Sequence, residues 1–180
     1  MSVGNDSGVQ GYYAYDGFGR RVEAREGSSI IMYAYQGTET MFEHLISGAD
    51  VDYVYASGLR IAKVTGYGGA SPAVVYYHTD VLGNTRLMTS SSRNVIFSDS
   101  YQPYGQDNGA SGSETYRFTG KPYSTATGLY YDCQRWYDPA IGRFISQDPL
   151  RGYQSSPQSF NSYTYAGNTP TTFKDPQGPT

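Results

Sequence analysis

A tyrosine-bearing motif recurs in this chain at an interval of twenty residues: YAYDG from Tyr13, YAYQG from Tyr33 and YVYAS from Tyr53. Side chains on a strand alternate between faces, so Tyr-x-Tyr places both rings on one side of a β-strand. Glycine, or Ser-Gly, follows each copy, as a tight turn requires. Twenty residues make one hairpin, two strands of about seven residues with two short turns. No helical i, i+3, i+4, i+7 stripe persists, because Gly or Pro interrupts almost every window of about a dozen residues. The stretch ETMFEHLI, Glu39 to Ile46, fits a short helix and a strand equally well. The fold class is therefore all-β, built from successive antiparallel hairpins.

Composition agrees with a hairpin repeat. The 180 residues include 20 Tyr and 22 Gly, which favour strands and tight turns respectively. A net charge of −3 and a pI near 5.3 leave no electrostatic footprint for nucleic acid. No apolar run approaches the roughly 20 residues of a membrane span. The opening MSVGNDSGVQGYYAYDG has no charged region leading into an apolar one, so no signal peptide is expected there. Cys133 stands alone and reads as a small buried hydrophobe. His78 and Asp80 with His44 are too few ligands for a metal site, and no cofactor is expected. His78 is expected instead to bond a backbone carbonyl or a neighbouring Tyr near the DVLGN turn. Residues 1–105 are expected to carry the hairpin repeats, 106–115 a flexible loop and 116–180 a terminal region, all in one continuous unit.

Four segments together resemble a known family. YDGFGRRV is similar to the Tyr-Asp (YD) repeat of Rhs proteins, teneurins and the C components of insecticidal Tc toxins. YYHTDVLGNTRLMT resembles the same family's Tyr-His-x-Asp segment, and YRFTGKPYSTATGLYYDCQRWYDPAIGRFISQDPL its Rhs-associated core. NSYTYAGNTPTTFKDPQG resembles the closing Asp-Pro-x-Gly motif. The resemblance runs from about Gly11 to Gly178. It implies a curled YD-repeat sheet, a partial shell or barrel-like, with a C-terminal segment turning inward as a plug. It also implies a structural role, forming or closing a β-shell around a C-terminal, toxin-like polypeptide cargo, in a secreted or cell-surface protein. The edge strands of an open curled sheet invite pairing with other YD-repeat segments or with a second copy.

In many members the core carries an aspartate autoprotease. Carried over by position, Asp148 in SQDPL and Asp175 in KDPQG match its two catalytic aspartates. Paired carboxylates suit amide hydrolysis, one acting as base towards water and the other as acid towards the leaving amide. The chain departs from the motif twice: Gln147 stands where the family has Arg, and Pro179 where it has Leu after Gly178. Asp-Pro pairs equally end strands and open turns, as expected of Asp138-Pro139. The tyrosine faces leave two uses open, cross-strand packing with Arg20, Arg60, Arg86, Arg117, Arg135 and Arg143 as cation–π partners, or glycan and cell-surface binding.

Overall fold

A computed structural model of the chain describes residues 2–5, 8–148 and 157–175. Eleven strands form one antiparallel sheet in strict chain order. They are β1 (Ser2–Asn5), β2 (Gly8–Tyr15), β3 (Arg21–Glu26), β4 (Ser29–Gln36), β5 (Glu39–Leu45) and β6 (Val51–Ala56). β7 (Leu59–Thr65), β8 (Ala73–Thr79), β9 (Thr85–Ser90), β10 (Val95–Ser98) and β11 (Ser111–Gly112) complete it. This wall is open, with β1 and β11 at its two ends, and so is not a closed barrel. Glu39–Leu45, which fitted either state in the sequence, is a strand.

The twenty-residue period is a period of bulges as well as hairpins. In the β2–β3, β4–β5, β6–β7 and β8–β9 hairpins the register slips once, beside Tyr15, Tyr35, Tyr55 and Thr79. The return strand carries the extra residue each time: Val22, Met41, Ile61 and Arg86. A bulge bends its strand, increases local twist and resets which side chains face inward. One face of the wall thus receives Tyr13, Tyr33, Tyr53 and Tyr77, and opposite them Ala24, Glu43, Lys63 and Met88. Beyond the bulge it receives Arg21, Thr40, Arg60 and Thr85, all buried.

Adjacent hairpins are clasped by tyrosine hydroxyls. Tyr35 donates to the Arg21 carbonyl at 2.7 Å and Tyr55 to the Thr40 carbonyl at 2.9 Å. Tyr101 makes the corresponding bond to the Thr85 carbonyl at 2.8 Å. Each clasp satisfies a carbonyl at the bulge, where the ladder is interrupted.

A second antiparallel sheet packs on the tyrosine face: β12 (Tyr123–Ser124), β13 (Leu129–Asp132), β14 (Arg135–Asp138) and β15 (Arg143–Phe144). Alternation sorts its side chains into two buried sets. Leu129, Tyr131 and Trp136 face the wall and cluster with Tyr13, Ala24, Tyr15 and Tyr33. Tyr130, Tyr137 and Phe144 face away and cluster with Phe118, Tyr165 and Ala166. Between the sheets, 106–115 carries β11 and a bridge from Asp107 to Tyr101. The buried Glu114 follows, paired with Lys63 at 2.5 Å and accepting from the Tyr77 hydroxyl at 3.0 Å. Tyr116 then inserts between Val51 and Tyr53, its hydroxyl donating to Glu43 at 2.6 Å.

Candidate functional site

The two aspartates singled out in the sequence lie 27 residues apart along the chain and meet on one atom. Asp148 follows β15, where its amide donates to the Ser162 carbonyl at 2.8 Å. Asp175 ends the segment that passes through the 3-10 turn Ala166–Asn168, and it is almost wholly buried. Arg135 on β14 reaches both: its Nη2 is 3.0 Å from Asp148 Oδ2 and 3.2 Å from Asp175 Oδ2. The guanidinium also lies 3.5 Å from the centroid of the Phe144 ring, and its Nη1 donates to the Ser162 carbonyl at 3.3 Å.

Each neighbour has a consequence. Burial pulls the Arg135 guanidinium below its ordinary range, and the Asp148 and Asp175 charges oppose that pull. A cation between two carboxylates offsets their repulsion, which lets both sit in a dry place. Breaking such a buried group by removing one partner costs about 3–5 kcal/mol. Mechanically, the node ties three separate pieces of chain to β14. Chemically, it holds two carboxylates together, the minimum an aspartate pair needs. Gln147 is exposed, and the cation between the aspartates comes from twelve residues earlier in the chain. Gly178 and Pro179, the junction at which the family motif would be cut, lie outside the described residues.

The other candidates separate. His44 Nδ1 pairs with Asp50 at 2.7 Å, while His78 Nε2 lies 3.0 Å from the Thr89 hydroxyl on the paired strand β9, in place of the carbonyl or Tyr expected from the sequence. Asp80 accepts from the amides of Leu82 and Asn84, both at 3.0 Å, which caps the DVLGN turn. Asp16 does the same for Phe18 and Arg20 in the first copy, so the Asp of the YD motif is a turn cap. Asp138 likewise accepts from the Ala140 amide at 2.8 Å, as its Asp-Pro context implied. Cys133 is buried, its thiol pushed up by burial and 3.3 Å from Lys121 Nζ. Lys121 pairs in turn with Asp132 at 2.9 Å; burial works against its charge, but that carboxylate holds its pKa above the ordinary value.

The aligned tyrosines are packed rather than offered to solvent. Arg60 lies over Tyr116 at 3.6 Å and Tyr53 at 4.7 Å. Arg21, which the sequence did not single out, sits within 5.6 Å of four rings, those of Tyr13, Tyr33, Tyr131 and Trp136. Arg143, which it did, is exposed on β15. Arg135 was named as a ring partner only; its reach to both aspartates carries no local sequence signal.

Comparison with known proteins bears on the whole arrangement. The teneurin YD-shell family model matches residues 13–171. A tRNA3(Ser)-specific nuclease WapA of Bacillus spizizenii is 27% identical over 177 residues, covering 92% of this chain and 7% of that protein. Double-stranded DNA deaminase toxin A of Burkholderia cenocepacia is 33% identical over 137 residues, 72% of this chain and 9% of that one. The crystal structure of TcdB2-TccC3-Cdc42 superposes with a TM-score of 0.73 at 25% identity, over 99% of this chain and 9% of its own. The chain thus spans a small fraction of the length of the relatives it matches. With the bulged hairpin repeat, the capped YD turns and a family match over most of its length, this chain belongs to the YD-shell family of teneurins and Rhs proteins.

Proposed function

We propose that the chain is a wall segment of a hollow YD shell that encloses a polypeptide, with its own second sheet lining or closing the shell from inside. The carrying observation is the open eleven-stranded wall, whose tyrosine face is covered by β12–β15 while, among the described residues, no strand pairs beyond β1 or β11. The relatives' names, tRNA nuclease and deaminase toxin, support a toxin-like polypeptide as that cargo; its C-terminal position and a secreted or cell-surface location are what the family resemblance implies. The aligned tyrosines are buried in packing, so glycan binding gains no support. The test is limited proteolysis of the full-length gene product. Its sequence downstream of this segment should resist an added protease, and it should become sensitive when Trp136→Ala loosens the second sheet. Equal digestion of downstream sequence inside and outside the folded protein would reject enclosure.

A second reading concerns the same chain's chemistry. The convergence of Asp148 and Asp175 on Arg135 favours a self-cleaving pair, one carboxylate acting as base towards water and the other protonating the departing amide. Asp148→Asn and Asp175→Asn should each abolish self-cutting of the full-length product. An uncut product from the unaltered sequence would leave the node as a structural tie alone.

A further inference from the structure

Asp99 follows β10 and is 6% exposed, yet neither of its carboxylate oxygens meets a donor in hydrogen-bonding geometry. The side chain in contact with it is another carboxylate, Asp107, which bridges to Tyr101 across the turn that leads into β11. Asp107 is already engaged, its Oδ2 2.6 Å from Arg117 Nη1. Arg117 is fixed by other contacts: its Nε donates to the Glu114 carbonyl at 2.7 Å, and its guanidinium lies 5.8 Å and 5.0 Å from the Phe97 and Tyr123 rings. Two carboxylates therefore face one cation that is committed to one of them.

Among the described residues, the remaining groups around the pair do not supply a second cation. From β9, the Arg86 carbonyl accepts the Asp99 amide at 3.0 Å while its exposed guanidinium lies 5.8 Å from the Tyr101 ring. The Tyr101, Tyr123 and Tyr130 hydroxyls are held neutral by burial. Asp138, which faces Tyr123, adds a negative charge. The Glu114 side chain is turned to Lys63 and Tyr77.

We propose that Asp99 and Asp107 form a proton-operated latch, a carboxyl–carboxylate pair that fixes the 101–112 turn against the second sheet when it holds one proton and loosens it when it holds none. Two acceptors cannot satisfy each other, but a protonated Asp99 donates one hydrogen bond to the Asp107 carboxylate, which gives one of its oxygens a partner and removes the buried charge from the other. Burial first, and then the Asp107 charge, push Asp99 up to about 6; the Ser100 amide, close by but short of hydrogen-bonding geometry, and the Arg117 charge oppose that rise. A carboxyl raised in the folded state adds stability that is complete below its unfolded value of about 4 and is lost as pH rises through the folded one. The turn borders a cleft of about 510 Å³, with Gln102, Gly105 and Asp107 on one side and Tyr123, Gly128 and Asp138 on the other. The turn meets the second sheet where the Tyr137 hydroxyl donates to the Tyr104 carbonyl at 2.7 Å, and that is the contact on which the latch would act. Within the shell reading, on which only this purpose rests, the wall is held firmly in acid and relaxes towards neutral pH.

The test uses the 180-residue chain and needs no cargo, so its outcome is separate from that of the enclosure experiment. Carboxyl-carbon NMR should find Asp99 titrating near 6, and thermal unfolding should show the midpoint falling as pH rises through that value. Across the window the open population of the turn should rise on the order of a hundredfold. Asp99→Asn should flatten the pH profile. Asp107→Asn should return the Asp99 midpoint towards the ordinary carboxyl value, and that titration decides alone if Asp99→Asn does not fold. An Asp99 midpoint near 4, or an unchanged pH profile in Asp99→Asn, would overturn the latch. So would calcium restoring stability at neutral pH in the unaltered chain but not in Asp99→Asn, which would mark a cation site instead.

Discussion

Arg21 shows what a single residue owes to its backbone. Counting back from the inward Ala24 by simple alternation puts Val22 and Arg20 inside and Arg21 outside. The extra residue at Val22 reverses that order, so Arg21 enters the cage of four rings. Arg20 stays at the turn, paired with Asp16 at 2.7 Å. Inward-facing tyrosines were legible because they precede the bulge; after it, Arg60 was legible as a ring partner but Arg21 was not, because a bulge leaves no mark in residue type and Arg20 beside it was the equal candidate. Glycine is the other residue whose role is set by its neighbours. Gly142 has φ +66°, and a Cβ there would stand 2.7 Å from the Tyr104 ring, whereas at Gly27, with φ +58°, it would meet nothing. Gly142→Ala should therefore cost about 2–4 kcal/mol in urea unfolding, through backbone strain plus overpacking, and Gly27→Ala only about 1 kcal/mol. Equal costs at the two positions would contradict the close approach of ring and backbone.

At the scale of the element, each hairpin is a two-strand unit that relies on the next to complete its bulge. The hydroxyls of Tyr35 and Tyr55 serve the carbonyls of Arg21 and Thr40 in the preceding hairpin. Tyr35→Phe and Tyr55→Phe should each destabilise the chain by about 1 kcal/mol, and the double variant should give their sum within about 0.5 kcal/mol. Calorimetry or urea unfolding reads both, and a loss confined to one position would break the equivalence of the repeats. The hairpins were legible in outline from the Tyr-x-Tyr spacing and the glycine turns. Residues 39–45 were less so, because ETMFEHL has helix-forming residues and no glycine within it. Pairing with β4 settles the matter: Glu43 faces inward opposite Tyr33, where it accepts from Tyr53 and Tyr116.

At the scale of the molecule, the C-terminal third of the chain folds back onto the first two thirds. The density of aromatics in TGLYYDCQRWYDPAIGRF was legible as packing, since both faces of a small sheet must be apolar when both are covered. The Asp148–Arg135–Asp175 node was legible only in its two aspartates, through their Asp-Pro context. Arg135 joins them by a long-range approach that no local pattern encodes, and the aspartates' catalytic use rests on the cleavage test above.

Wall and second sheet should unfold as one cooperative body. Trp136, the single tryptophan, stands at their contact, 4.7 Å from the Tyr13 ring centroid and with its indole N–H donating to the Tyr15 hydroxyl at 3.0 Å. Urea unfolding followed by Trp136 fluorescence and by far-ultraviolet circular dichroism tests the claim most directly. The two transitions should coincide, and Tyr13→Ala should move both to lower urea. Emission from Trp136 shifting to the red at lower urea than the loss of strand signal would contradict it, because the second sheet would then undock from a wall that stands without it.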